Sequence, residues 1–285
     1  MSFREWASRP FADGAHRIEQ WPLDVLHPMR HGRIALDLTV AGGSVTACSI
    51  DVGANHRGDE RLLEVRDIRQ GMALANRHGW LTAAHAESLY ARIAEGMLGI
   101  TPSPRALALR GLAMALTAAA TDALWDHCIA SLDGTPDGGA LARRAEALAA
   151  LEALTGARMH VTYARIGGVA ADIEPALLDG LLEGPTDAVR AAAAGVRDAE
   201  GSIAVPLPKV LRLPVGDAYD ELDTPHGPLG MWLVSRGERV PHRVHLRTPG
   251  FAALASLERR APGMATDGLL LELASTRFVP GEVSR

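Results

Sequence analysis

The chain has 285 residues, 47% of them hydrophobic but only 4% aromatic, so its core must be built mainly from Ala, Leu, Val and Ile. That length can bury a full core, as one large domain or two small ones. A net charge of −5 argues against a general basic surface for nucleic acid, and two cysteines outside any C-x-x-C pair, Cys48 and Cys128, argue against a disulfide framework or zinc site.

Residues 1–24 are polar with scattered aromatics (Trp6, Phe11, Trp21) and read as an irregular N-terminal extension ahead of a domain over 25–285. Arg4, Glu5 and Arg9 without an apolar run are unlike a signal peptide, and no run of 18 or more consecutive apolar residues predicts a membrane span. A cytoplasmic protein, with membrane contact only through partner subunits, is the expectation.

Residues 34–40 alternate apolar with small or polar side chains, as a half-buried strand does, and 45–52 read as its hairpin partner across Ala41-Gly42-Gly43-Ser44. Ahead of the hairpin stand His27 and His31. Pro28 disfavours helix at His27, so the two sit on a tight loop. Two readings are open: partly exposed loop histidines, or an imidazole offered to a redox ligand that gains a proton on reduction. No third imidazole or carboxylate has metal-ligand spacing beside them. Arg57 and Glu60 fall at i and i+3 at a helix start, where they can form an ion pair.

Residues 77–100 form a loop entering a long helix. Ala83, Ala84, Ala86, Leu89, Tyr90, Ile93, Ala94, Met97 and Leu98 give it one apolar face, and Arg77-His78-Gly79-Trp80-Leu81-Thr82 forms its mouth. Trp80 reads either as a core anchor or as the wall of a site. Thr101-Pro102-Ser103-Pro104 breaks the chain, and 106–132 is again long and apolar-periodic. Helices are expected over 141–154, 175–182, 188–196, 251–258 and 268–273, with Gly156 ending the first of these. Strands are expected at 230–235 and 243–247, Val244 and Leu246 pointing inward.

The most specific stretch runs from Thr155 to Asp172, TGARMHVTYARIGGVAAD. It fits T-G-x-R-x-H-x-x-Y-x-R-x-G-G-V-x-x-D at every fixed position. Joined to it are His27-Pro28-Met29-Arg30-His31-Gly32, Arg77 with Ala84-His85-Ala86, the run from Asp223 to Gly237, and Arg247-Thr248-Pro249-Gly250-Phe251. Together these resemble the nickel-iron hydrogenase large-subunit superfamily and its relative, the D-type subunit of bacterial NADH:quinone oxidoreductase (complex I). The resemblance covers about 25–173 and 203–285, with much of the family's central bundle missing.

That resemblance implies an α+β fold: a hydrogenase large-subunit-like helical bundle with a small antiparallel β-sheet from the N-terminal hairpin and C-terminal strands. Gly79, Thr82, Val279 and Glu282 stand where hydrogenases carry cysteines, so no nickel-iron metal site is expected. The second histidine of the entrance motif, His31, would face a quinone headgroup, with His27 beside it. Gly79 and Trp80 replace the family's Asp-Tyr pair, and an indole N–H cannot be released as a proton. His127 takes the place of a helix histidine, and Glu60, with Arg57 before it, that of a buried proton-handling glutamate near the pocket. Arg77, His85, Arg158, His160 and Arg165 would face the cluster of a neighbouring iron-sulfur small subunit. No G-x-G-x-x-G follows a strand and no P-loop is present, so NADH, flavin and iron-sulfur cluster would reside on partners. The implied function is that of a quinone-pocket or electron-transfer-interface subunit, not catalytic alone. It would belong to a complex I-like assembly peripheral to the inner face of the cell membrane, where these loops converge. The alternative is a non-catalytic scaffold that keeps the small-subunit-binding surface.

Overall fold

The computed structural model describes residues 1–284. In chain order the elements are α1 (Phe3–Ala7), β1 (Gly14–Ile18), β2 (Ala35–Ala41), β3 (Ser44–Asp51), α2 (Asp59–Glu64), α3 (Ile68–Ala75), α4 (Ala83–Leu98), α5 (Pro104–Leu132) and α6 (Gly138–Thr155). There follow β4 (Ala164–Arg165), β5 (Gly168–Val169), α7 (Pro175–Leu181), α8 (Asp187–Asp198), β6 (Gly216–Thr224), β7 (Gly227–Ser235), β8 (Arg243–Arg247), α9 (Pro249–Arg260), α10 (Thr266–Ser275) and α11 (Pro280–Val283). The fold is α+β, as expected. The N-terminal hairpin and the C-terminal strands lie in two separate antiparallel sheets, β1-β2-β3 and β6-β7-β8.

The chain divides into two compact units, each discontinuous: Met1–Arg57 with Leu124–Leu141 and Thr248–Arg285, and Gly58–Ala123 with Ala142–Arg247. In the first, β2 and β3 pair as the alternation predicts, with Leu36, Leu38 and Val40 buried. Residues 1–24 are not irregular throughout, which corrects the reading above. Ser2 and Glu5 form a capping box that starts α1, and β1 pairs with β2 from Gly14↔Val40 to Ile18↔Leu36. Phe3 and Ala7 join Ile34, Leu36, Leu257, Leu270 and Phe278 in one core. Helix α9 packs on β3, where the Glu258 carboxylate accepts from Ile50 N–H at 2.5 Å.

In the second unit, α4 packs on the inner face of β6 and β7. Met231, Leu233, Val244 and Leu246 are fully buried there, each such side chain contributing about 1.5–3 kcal/mol. β6 did not stand out in the sequence because most of its residues (GDAYDELDT) are polar and its burial is at best intermediate. A second core joins Leu109, Leu112 and Leu116 of α5 to Leu151 and Leu154 of α6 and to Val189, Ala193 and Val196 of α8. By length and composition α5 is long and apolar enough to cross a membrane, yet the greater part of its most apolar stretch is buried within the protein.

Candidate functional site

The 155–172 segment is built from positions that each need their residue. Gly156 takes φ +83° and its N–H bonds Glu152 O, ending α6. The Thr155 hydroxyl donates to Leu151 O and accepts from Ala157 N–H. Gly167 turns the β4-β5 hairpin at φ +85°. A Cβ at Gly168 would fall 2.0 Å from Ile203 O, because residues 203–205 bridge to the hairpin through Val169 N–H and Gly167 O. The Tyr163 hydroxyl donates to Ala171 O at 2.8 Å. Arg105 clamps Asp172 with both Nε and Nη2, at 2.8 and 2.7 Å, and holds that carboxyl below the usual range.

Two buried carboxylates on α4 hold this segment from behind. Glu87 accepts from Thr162 N–H at 2.5 Å, Tyr163 N–H at 2.8 Å, Ala164 N–H at 3.2 Å and the Asn76 side chain. Burial pushes its carboxyl above the ordinary range, and these four bonds oppose that. Thr162 sits at φ 44°, the one non-glycine left-handed residue among those described, and its N–H bond to Glu87 fixes it there. Two turns further on, Glu95 takes Arg110 in a two-pronged pair at 3.0 and 2.5 Å and Gly167 N–H at 2.6 Å. Arg110 also donates to Gly168 O at 2.9 Å and Arg165 O at 2.7 Å. Sequence reasoning passed over Glu87, Glu95 and Arg110. The signal was there: two glutamates eight apart inside a stretch otherwise rich in Ala, Leu and Ile.

On that base Arg158, Met159 and Arg165 are exposed and His160 is half-buried. Arg158 pairs with Glu152 at 2.6 Å. Arg165 donates to Thr162 O and to Ala164 O. His160 Nδ1 lies 3.1 Å from Asn76 Oδ1.

At the mouth of α4, Arg77 is exposed and donates to Ala73 O at 3.2 Å, while Gly79, Leu81 and Thr82 are buried. Trp80 is half-buried, with the Arg144 guanidinium 5.8 Å above its ring. The crevice lined by Trp80, Thr117, Thr121, Arg144 and Arg158 measures about 20 Å³, room for a water rather than a ring. His85, expected to face a partner, is instead buried at 6% exposure. It follows Ala84 on the inward side of α4, its Nδ1 makes no hydrogen bond, and burial with His226 nearby pushes it down to about 4.

In the other unit, His27 is fully buried and both ring nitrogens are committed. Nε2 meets Ala274 O at 2.9 Å and Nδ1 caps the turn over 28–30 through Met29 N–H at 3.3 Å. The ring stands edge-on to Trp125 at 5.4 Å, and burial pushes it down to about 4. With no nitrogen left for a ligand, His27 is a structural histidine, which corrects its place among the pocket candidates. His31 ends the same turn and is exposed. Its neighbours Arg30 and Gly32 line a cleft of about 510 Å³ with Trp6, Glu19, Trp21 and Met29. His127 is held by Asp137 O at 3.0 Å and lies 3.4 Å from Asp24. Arg57 is exposed.

Glu60 accepts from Leu246 N–H at 2.9 Å and contacts Arg243 and His245 at 3.1 Å. Beside it, burial would raise the Glu64 carboxyl, but Val244 N–H, Arg243 and Arg61 hold it below the usual range. The two carboxylates thus cover alternate N–H groups of the β8 edge. Of the positions matching hydrogenase cysteines, Val279 and Glu282 are buried and Glu282 accepts from Gly250 N–H at 3.1 Å. Among the described residues no group of three or more His, Cys, Asp or Glu is arranged to hold a metal ion.

A family model described as the respiratory-chain NADH dehydrogenase 49 Kd subunit matches residues 135–197 and 205–285, just over half of the chain. A D-type NADH-quinone oxidoreductase subunit of Salinispora tropica is 28% identical, with 91% of each chain covered. Its counterpart in Carboxydothermus hydrogenoformans is 26% identical, covering 90% of this chain and 96% of that one. These alignments extend over 353 and 349 residues, longer than the chain itself, so the relatives carry stretches missing here. Among solved structures, a chain of the membrane-bound sulfane sulfur reductase, an archaeal respiratory membrane complex, superposes with a TM-score of 0.80. It is 20% identical, with 97% of this chain and 100% of that one covered, a likeness of fold.

Proposed function

We propose that this chain, which belongs to the family of the respiratory-chain NADH dehydrogenase 49 Kd subunit, serves in a membrane-associated, complex I-related respiratory assembly as the subunit that seats an iron-sulfur partner. The observation that carries this reading is the rigid mounting of residues 158–165. Buried Glu87, Glu95 and Arg110 fix the backbone while Arg158, Met159 and Arg165 stand exposed. Two guanidinium groups flanking a half-buried imidazole suit a partner face that is acidic or carries an anionic redox group. The partner would hold the cluster; this chain supplies the surface against it and the donors around it.

The double charge reversal Arg158→Glu/Arg165→Glu is expected to abolish co-purification with the iron-sulfur partner, while the isolated chain keeps its circular dichroism and melting temperature. Undiminished co-purification would overturn the interface reading.

A quinone site is the second reading, favoured by the cleft beside His31. Its volume of about 510 Å³ lies within the range of ordinary ligand pockets, about 300–1,000 Å³. Trp6 and Trp21 line it, and the exposed His31 imidazole next to its lining residues would serve as proton donor to a reduced headgroup. In the assembled complex, His31→Ala is expected to weaken quinone binding about tenfold, the loss of one hydrogen bond. Equal affinities would remove the quinone role and leave the scaffold.

A further inference from the structure

We propose that Glu87, acting through Asn76, is a positioning residue that fixes His160 in the tautomer carrying its proton on Nδ1. Glu87 Oε1 receives Thr162 N–H and the Asn76 side chain, and Oε2 receives Tyr163 and Ala164 N–H. Backbone N–H groups only donate, and the three of them leave the Glu87 carboxylate one further lone pair, on Oε1, facing Asn76. Glu87 is therefore an acceptor throughout, and Asn76 must turn its NH₂ toward it. The Asn76 carbonyl oxygen then points the other way, 3.1 Å from His160 Nδ1. A carbonyl oxygen only accepts, so Nδ1 carries the hydrogen and Nε2 holds the lone pair of the neutral ring. Asn76 and Glu87 are both at 0% exposure, so no bulk water substitutes for either bond.

The consequence is directional. Neutral His160 accepts at Nε2 and cannot release a proton there, so only its imidazolium, not its neutral ring, would donate to an anionic partner group. That last step rests on the interface reading; the tautomer does not.

The test is ¹⁵N NMR of the imidazoles in the labelled full-length chain with the ring neutral, His160 being identified by the signals lost in His160→Gln. The expected result is a protonated-type Nδ1 and a lone-pair-type Nε2. In Glu87→Gln the oxygen keeps Tyr163 and Ala164 N–H, and the new NH₂ faces Asn76 and leaves Thr162 N–H without its acceptor. The Asn76 amide then turns over and the His160 tautomer inverts. Asn76→Ala removes the relay, and both tautomers become populated. An Nε2–H form in the wild type, or an unchanged Nδ1–H form in both variants, overturns the proposal; the wild-type spectrum decides alone if the variants do not fold. Lost partner seating with the tautomer intact would count against the interface reading only.

Discussion

Replacing Arg110 by leucine should lower the unfolding free energy of the second unit by about 3–5 kcal/mol, the usual cost of stripping one partner from a buried ion pair. Arg110 and Glu95 side chains are 3% and 5% exposed. Removing the guanidinium strands the Glu95 carboxylate in apolar surroundings and also takes donors from Gly168 O and Arg165 O. The β4-β5 hairpin then loses its link to α5, and residues 158–165 lose half of their mounting. Denaturant unfolding followed by circular dichroism measures the change. The double variant Glu95→Gln/Arg110→Leu should recover part of the loss, since it removes the stranded charge. A single-variant cost below about 1 kcal/mol, the range of an exposed pair, would show that the pair is solvated and does not hold the hairpin.

The same pair shows where the sequence can be read and where it cannot. The apolar spacing from Ala83 to Leu98 predicts α4, and alternation predicts β2 and β3. The Thr155–Asp172 pattern, together with the other matched runs, points to the family. The apolar stretch around Glu87 and Glu95 hints that they face inward, but nothing local says what satisfies them, because their partners lie 75 and 72 residues away at Thr162 and Gly167. A glutamate on a helix reads as solvated until those backbone N–H groups are placed beside it. His27 and His31 make the converse case. Spacing around Pro28 puts both on one tight turn, but only the packing of Ala274 and Trp125 decides that one ring is buried and the other exposed. The β6 strand escaped because its residues, such as Asp217, Asp220 and Glu221, break the apolar alternation that a strand forecast rests on.

Acidification should destabilise the protein in a window set by two imidazoles, opposed in the second unit by Glu87, whose carboxyl burial raises. His27 and His85 are pushed by burial to about 4 in the folded state, against about 6.5 in an unfolded chain. A basic group with a depressed folded value favours the folded state above the unfolded pKa, and that contribution is lost as pH falls through the interval to the folded one. Roughly 2.5 units at 1.36 kcal/mol each give about 3 kcal/mol per histidine between pH 6.5 and 4. His27 lies in one unit and His85 in the other, so either unit takes up a proton on opening. The salt-bridged carboxyls Asp172 and Glu64, held below their ordinary values, lose their contribution only at still lower pH. Unfolding free energies measured from pH 7 to 4 should therefore fall by about 3 kcal/mol for the unit that opens first. His85→Leu should flatten the slope of the second unit by one proton at little cost at pH 7, because its Nδ1 makes no hydrogen bond to lose. His27→Leu should flatten the slope of the first unit but cost about 1–3 kcal/mol at neutral pH, since Ala274 O and Met29 N–H are left unpaired. A pH profile unchanged in His85→Leu would mean that this ring is hydrated and titrates in the folded state as it does in the unfolded chain.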